Sequence, residues 1–293
     1  MTPDEWRRSG KTFTHHKQTI FYKDEGDGEA LLLMHGFPTA SWDWHKIWDT
    51  LQERFRLLAP DMIGFGFSAK PRDYAYSISD QADLHETLLE ALGVPVVHIL
   101  AHDYGNTVAQ EMLARYSMRS RFGDQGLVIR SLCFLNGGLF PETHRPRFIQ
   151  RLLLTSMGSL IGRLINESSF RRSFISIFGP TTKPSEAELH DFWSLVAFNH
   201  GNYIAHKLIR YVVERQENRS RWVGALQTAP VPLRLVDGPE DPVSGAHMAE
   251  RYRVLIPNAD VVLLEGIGHY PQIEDPEGML GAYMEFIDRF RGD

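Results

Sequence analysis

The sequence predicts an α/β architecture: a mostly parallel central sheet flanked by helices, with a helical cap inserted between two strands. Three observations predict it. Short apolar runs rich in β-formers alternate with amphipathic helical stretches early in the chain and again near its end, as in a parallel sheet covered on both faces. From about residue 140 to 224 no strand-like run occurs, only helical segments broken at Gly179-Pro180 and Lys183-Pro184. Between these, an apolar strand passes through Ala101-His102-Asp103-Tyr104-Gly105 directly into a helix, which requires a tight bend.

The elements follow in order. Residues 12–16 and 19–24 read as an opening hairpin around Lys17-Gln18. Residues 30–34 are a continuous apolar run, the mark of a buried strand, ending at His35-Gly36-Phe37-Pro38. Trp44, Ile47, Trp48 and Leu51 have helical spacing within 42–54, and 56–59 is another short strand. Ala82, Leu84, Leu88, Leu89 and Leu92 mark a helix over 78–92, stopped by Gly93 and Pro95. Strand 96–101, helix 106–116 and strand 129–135 complete the first part. After the insertion, strands 233–236 and 261–264 alternate with helices 248–255 and 279–290. Residues 1–139 and 225–293 are thus expected to form a core domain, and 140–224 a helical cap insertion.

With 293 residues, 43% of them hydrophobic and 23% charged, the chain can bury a large core. A formal net charge of −6 disfavours a nucleic-acid partner, which would want a basic face. The clusters Arg215, Arg219, Arg221 and Arg145, Arg147, Arg151 read as solvated helix faces. Cys133, the single cysteine, sits in an apolar run and reads as a buried structural thiol. Residues 1–8 lack the apolar core of a signal peptide. Residues 152–165 are too short, and too interrupted by Gly158, Gly162 and Arg163, to span a bilayer. A soluble cytoplasmic protein is expected, with no membrane and no nucleic-acid partner; a homodimer stays open as its assembly.

The chemistry centres on Asp103. Small-x-nucleophile-x-small between a strand and a helix is the form of a nucleophile elbow, with Ala101 and Gly105 as the small residues. The helix that follows aims its free N–H groups at negative charge. Taken alone, the pattern describes a plain helix N-cap better than a nucleophile. Two later features change this: Asp241 lies in the loop after strand 233–236, and Gly268-His269 follows the last strand. Strand ends of a parallel sheet share one edge, so Asp103, Asp241 and His269 can converge. Their chain order, nucleophile then acid then His, is that of α/β-hydrolases. An oxyanion hole would use the N–H groups of Phe37 and Tyr104. No spacing resembles a metal site, and the loop Asp61-Met62-Ile63-Gly64-Phe65-Gly66 shapes backbone rather than binding a nucleotide, so no metal and no cofactor are expected. His15, His16, His85, His98 and His190 lack a chemical context.

At these residues the sequence resembles the epoxide hydrolase and haloalkane dehalogenase branch of the α/β-hydrolase superfamily. The resemblance covers nearly the whole chain and rests on His35-Gly36-Phe37-Pro38, Trp42, Asp61 with Gly64, Gly66 and Ser68, His102-Asp103-Tyr104-Gly105, Asp241-Pro242, Gly268-His269 and Glu274-Asp275-Pro276. The stretches 135–146, Phe178-Gly179-Pro180 and 221–226 are further similar to mesoderm-specific transcript-like hydrolases.

A carboxylate is ionised at neutral pH and suits displacement at a saturated carbon, so Asp103 would form an alkyl ester that water, activated by His269 with Asp241, then hydrolyses. The resemblance implies that a dehalogenase would carry Trp after the nucleophile, where Tyr104 stands. An epoxide oxygen needs an acid instead. Tyr211 lies near the family's second lid tyrosine and His144 near the first, so a His144/Tyr211 pair is expected, with Tyr203 as fallback. A capping role for His144 and a packing role for Tyr211 stay open. Trp42, Phe140, Trp193, Phe198 and Tyr203 are candidates to line an apolar pocket, although core packing explains them equally well. The expected function is epoxide hydrolysis of a small apolar epoxide or related electrophile; the alternatives are a haloalkane dehalogenase with the same triad and a catalytically weak hydrolase-like binding protein.

Overall fold

The structure, a computed structural model, describes residues 1–290. Eight strands form one sheet: β1 (Lys11–His15), β2 (Gln18–Glu25), β3 (Glu29–Met34), β4 (Phe55–Pro60), β5 (Val96–Ala101), β6 (Val128–Phe134), β7 (Leu233–Asp237) and β8 (Val261–Leu263). Their order is β1-β2-β4-β3-β5-β6-β7-β8. The β1–β2 hairpin joins antiparallel, through β2 against β4, and all other pairings are parallel. The hairpin turns on His16 and Lys17, one residue earlier than the sequence suggests. Both have positive φ, which matches the twist of the flanking strands in a two-residue turn.

Helices α1 (Pro3–Arg8), α2 (Trp48–Gln52), α3 (Ile78–Ala91) and α4 (Tyr104–Phe122) belong to the first part of the chain. The next seven are α5 (Phe148–Leu153), α6 (Gly158–Leu164), α7 (Glu167–Ile175), α8 (Glu186–Ala197), α9 (Ala205–Leu208), α10 (Tyr211–Glu217) and α11 (Arg219–Gln227). All seven fall between β6 and β7, which are neighbours in the sheet. Helices α12 (Ala246–Leu255), α13 (Pro271–Glu274) and α14 (Pro276–Asp288) complete the fold. Helix α1 has no counterpart in the sequence expectations. A capping box of Thr2 and Glu5 starts it, and its Trp6 is fully buried with the indole donating to Ser41. The segment 42–54 is not one helix but a 3₁₀ turn, Ser41–Trp44, followed by α2.

The strands alternate between two apolar faces. Leu31, Leu33, Leu57, Leu100, Cys133 and Val236 pack on one side of the sheet with Trp6, Trp48 and Tyr283. Leu32, Met34, Leu58, Ile99, Ala101 and Phe134 pack on the other with Val108, Met112 and Leu113 of α4. Burial on both faces is why these strands read as unbroken apolar runs. Each buried Leu contributes about 2 kcal/mol, so the ends of β3, β5 and β6 are firmly anchored where their loops emerge. Helix α11 lies against α4, where Glu111 accepts from the Trp222 indole at 2.8 Å and pairs with Arg221. Among the described residues no helix is long and apolar enough to cross a membrane.

Candidate active site

Strand β5 lies between β3 and β6, so the loops leaving these three strands meet at one edge. Backbone bonds lace them together: His102 N–H to the Met34 carbonyl at 2.9 Å, Leu135 N–H to Ala101 at 2.8 Å, and Asp103 N–H to Asn136 at 2.9 Å. The bend is sharp enough to hold Asp103 at φ 44°, ψ −102°. A residue with a Cβ is strained there, at a cost of about 1–3 kcal/mol. Glycines let the loops close around it. A Cβ on Gly105 would run into the Met34 carbonyl oxygen, and one on Gly137 would lie 2.6 Å from Asp103 Cα.

Although Asp103 precedes α4, its side chain makes no capping bond to the helix. Its Oδ2 accepts instead from the Phe37 N–H at 3.1 Å, and Oδ1 from the Tyr211 hydroxyl at 3.4 Å. Tyr104 is the first residue of α4, so its N–H has no acceptor within the helix. The Phe37 loop is held by the His35 ring: Nε2 accepts from Met62 N–H at 3.0 Å, which leaves Nδ1–H to donate to the Gly36 carbonyl at 2.9 Å. Burial pushes His35 down to about 4, so it is neutral.

The structure brings His269 and Asp241 together at the ends of β8 and β7. His269 Nδ1 lies 2.6 Å from Asp241 Oδ2. The same carboxylate accepts from Val243 N–H at 2.8 Å and from the Ser244 hydroxyl at 2.7 Å, with the Asn136 amide at 3.3 Å. Burial opposes ionisation of Asp241, but the His269 charge and these donors outweigh it and hold the carboxyl below its usual value. Burial likewise opposes a charge on His269. Asp241 overcomes it, with Asp103 and Glu274 behind, and raises the imidazole to about 9. At neutral pH an imidazolium therefore stands beside the Asp241 carboxylate. Glu274 secures the loop on both sides of it, accepting from the Gly268 and Tyr270 N–H groups, each at 2.9 Å. It also binds Gly179 N–H at 2.7 Å, tying the loop to the inserted helices.

Asp103 and His269 line one cavity of about 960 Å³, counting its open mouth. Its walls include Phe37, Leu153, Ile165, Phe170 and Phe174. The five aromatic residues expected to line a pocket are elsewhere. Trp42 is buried and stacks on His45, and Phe140 lies in the core beside Tyr252. Trp193 packs on Phe170 behind the wall, Phe198 on Phe67 beneath Arg7 and Lys70, and Tyr203 on His200 between Arg72 and Arg163. Aromatic bulk marks packing, whereas the face of each short helix that meets the cavity is set by tertiary contacts.

Of the two expected ring-opening acids, only Tyr211 reaches Asp103. It opens α10, is fully buried, and packs against Tyr104 with ring centroids 4.8 Å apart. Burial and the Asp103 charge both push its phenol up, so it stays protonated. His144 does not pair with it. Both His144 ring nitrogens are buried without a hydrogen-bond partner among the described residues, and burial followed by the Arg215 charge pushes it down to about 3, so no imidazolium is present to act as an acid. Gly138 makes room here, since a Cβ on it would collide with Arg215 Nη1 and lie 3.5 Å from His144 Nδ1.

Arg215 itself is the functional candidate that the sequence missed. Expected on a solvated face, it is 1% exposed. Its Nε donates to Thr107 Oγ1 at 2.7 Å, and Nη2 donates to the Asp103 carbonyl at 3.2 Å and lies 3.9 Å from Asp103 Oδ1. Its Cζ sits 4.5 Å over the Tyr211 ring. Arg219 and Arg221 do lie near the surface, paired with Glu142 and Glu111. A sequence signal existed: Arg215 is four residues after Tyr211, on the same face of one helix. Among the described residues one group has donors close enough for a metal ion, His15, His16 and Asp80, on the β1–β2 hairpin and α3.

A family profile described as alpha/beta hydrolase fold matches residues 29–276. The mesoderm-specific transcript protein of Mus musculus is 46% identical over 97% of this chain and 88% of its own length. The haloalkane dehalogenase DbeA from Bradyrhizobium elkani superposes with a TM-score of 0.78 at 23% identity, covering 96% of this chain and 99% of its own. The epoxide hydrolase CorEH superposes with a TM-score of 0.76 at 19% identity, with the same coverage of 96% and 99%. At these identities the two structures share the fold.

Proposed function

We propose that this chain, which belongs to the α/β-hydrolase fold family and to the group of the mesoderm-specific transcript proteins within it, hydrolyses epoxides to vicinal diols. The observation that carries this reading is the Tyr211 hydroxyl, a protonated phenol 3.4 Å from Asp103 Oδ1. Opening an epoxide needs a nucleophile at carbon and an acid at the departing oxygen, and these two groups supply both from one place.

An Asp103 oxygen attacks an epoxide carbon, the C–O bond breaks, and the oxygen takes the Tyr211 proton. Asp103 is now a neutral ester, so one of the charges that held His269 protonated is gone. The imidazole releases its proton, which restores Tyr211, and can then take one from water. That water attacks Asp103 Cγ, with the oxyanion held by Phe37 N–H and Tyr104 N–H. Collapse breaks the bond from Cγ to the alkyl oxygen, the diol leaves with the proton from His269, and the carboxylic acid left at Asp103 passes its proton to His269, restoring the carboxylate and the imidazolium.

A dehalogenase reading is less well supported, because a departing halide needs N–H donors. The Tyr104 ring offers none and packs against Phe65, no indole lines the cavity among the described residues, and the Asn202 amide in its wall already donates to the Gly162 and Ile165 carbonyls. The test is intact-protein and peptide mass spectrometry of a His269→Asn variant exposed to styrene oxide, aliphatic epoxides and haloalkanes. The expected result is one substrate mass added to Asp103 by the epoxides. Adducts from haloalkanes alone would make the chain a dehalogenase. An adduct elsewhere, or none across the panel, refutes the assignment and leaves a hydrolase-like binding protein.

A further inference from the structure

We infer that Arg215 sets the balance between the two half-reactions, making the esterified enzyme short-lived by depriving a buried cation of its counter-ion. This rests on the reading of Asp103 as the nucleophile. A guanidinium keeps its charge at any working pH, and taking it out of water is costly unless an opposite charge compensates. Arg215 is almost fully buried, and among the described residues the one carboxylate within ion-pair distance is that of Asp103, at 3.9 Å. Its other contacts are neutral: the Thr107 hydroxyl, the Asp103 carbonyl and the face of Tyr211. Among the described residues its Nη1 has no hydrogen-bond partner, and the neighbouring His144 is neutral.

Ester formation converts the Asp103 carboxylate into a neutral group and strands this cation. Attack of water on Asp103 Cγ builds negative charge on the same carboxyl group, and completion of hydrolysis restores the carboxylate. Arg215 thus stabilises the free enzyme and the tetrahedral oxyanion, but not the ester between them. The Thr107 hydroxyl, one turn into α4, keeps the guanidinium from swinging towards water when the ester forms.

The experiment compares wild type, R215K and R215Q, quenching each at steady state with an epoxide and measuring the esterified fraction of Asp103 by mass. Glutamine keeps hydrogen-bond donors and removes the charge, whereas lysine keeps the charge. R215Q is expected to hydrolyse its ester on the order of 10²-fold more slowly than wild type, the scale of losing one electrostatic contribution to a developing oxyanion. Ester therefore accumulates in R215Q, while R215K partitions close to wild type. A purely structural role would slow both half-reactions together and leave the esterified fraction unchanged, which overturns the inference. If R215Q does not fold, Thr107→Val carries the same test by releasing Nε: a raised esterified fraction is expected, and an unchanged one overturns. H269N run in parallel separates the two readings. No adduct in H269N removes the Asp103 assignment beneath, whereas an adduct there with normal partitioning in R215Q removes only the role of Arg215.

Discussion

The Tyr211 hydroxyl donates to Oδ1 of Asp103 across 3.4 Å, while the Phe37 amide holds Oδ2 at 3.1 Å. The two oxygens of one carboxylate are thereby distinguished: one faces a phenol, the other a backbone donor.

Tyr211→Phe removes the phenol proton and leaves the ring packed between Tyr104 and Arg215. Epoxide turnover is expected to fall on the order of 10²-fold or more, the usual effect of losing a positioned acid. Steady-state diol formation checks it, with a thermal melt to show that the fold persists. An unchanged rate would pass the role to another group.

His269 ties pH to stability. Its folded value is raised from 6.5 to about 9, so the folded state favours the protonated form. The resulting stability is fully present below about 6.5 and is lost as pH rises through 9, amounting to on the order of 3 kcal/mol. Urea denaturation of wild type and H269N at intervals from pH 6 to 10 is expected to show the gap between them narrowing over that window. A gap that does not change with pH would mean that the resting imidazole is uncharged.

Two glycines are expected to respond with opposite signs. Gly105→Ala forces a methyl group onto the Met34 carbonyl, where backbone cannot yield, and should cost about 1–3 kcal/mol or more. Gly281, exposed in the interior of α14, has open space at the same point, and Gly281→Ala should stabilise by about 0.5–1 kcal/mol. Paired urea melts check both. Equal effects would show that the elbow is looser than its backbone contacts imply.

Much of this molecule is legible in one dimension because the information is local. Apolar runs mark strands buried on both faces, and small residues at 101 and 105 mark a bend that tolerates little else. An acid and an imidazole after the last two strands follow from the edge shared by parallel strand ends. Arg215 was hidden because charged side chains are seldom buried, so a cluster of arginines reads as a wet surface. His144 misled because proximity in sequence to a lid position says nothing about the cation that occupies the space beside it. The aromatic residues misled for a related reason: Trp42 and Phe140 are large enough to be core, and core is where they lie.

From the residues alone came the layered α/β architecture, the helical insertion and the convergence of Asp103, Asp241 and His269, since strand periodicity and turn sterics act over a few residues. Only the tertiary structure decided which side chains of the inserted helices face the carboxylate. The turn of a short helix about its axis is set by what it packs against, and in α10 that packing delivers a phenol and a buried guanidinium to the same aspartate.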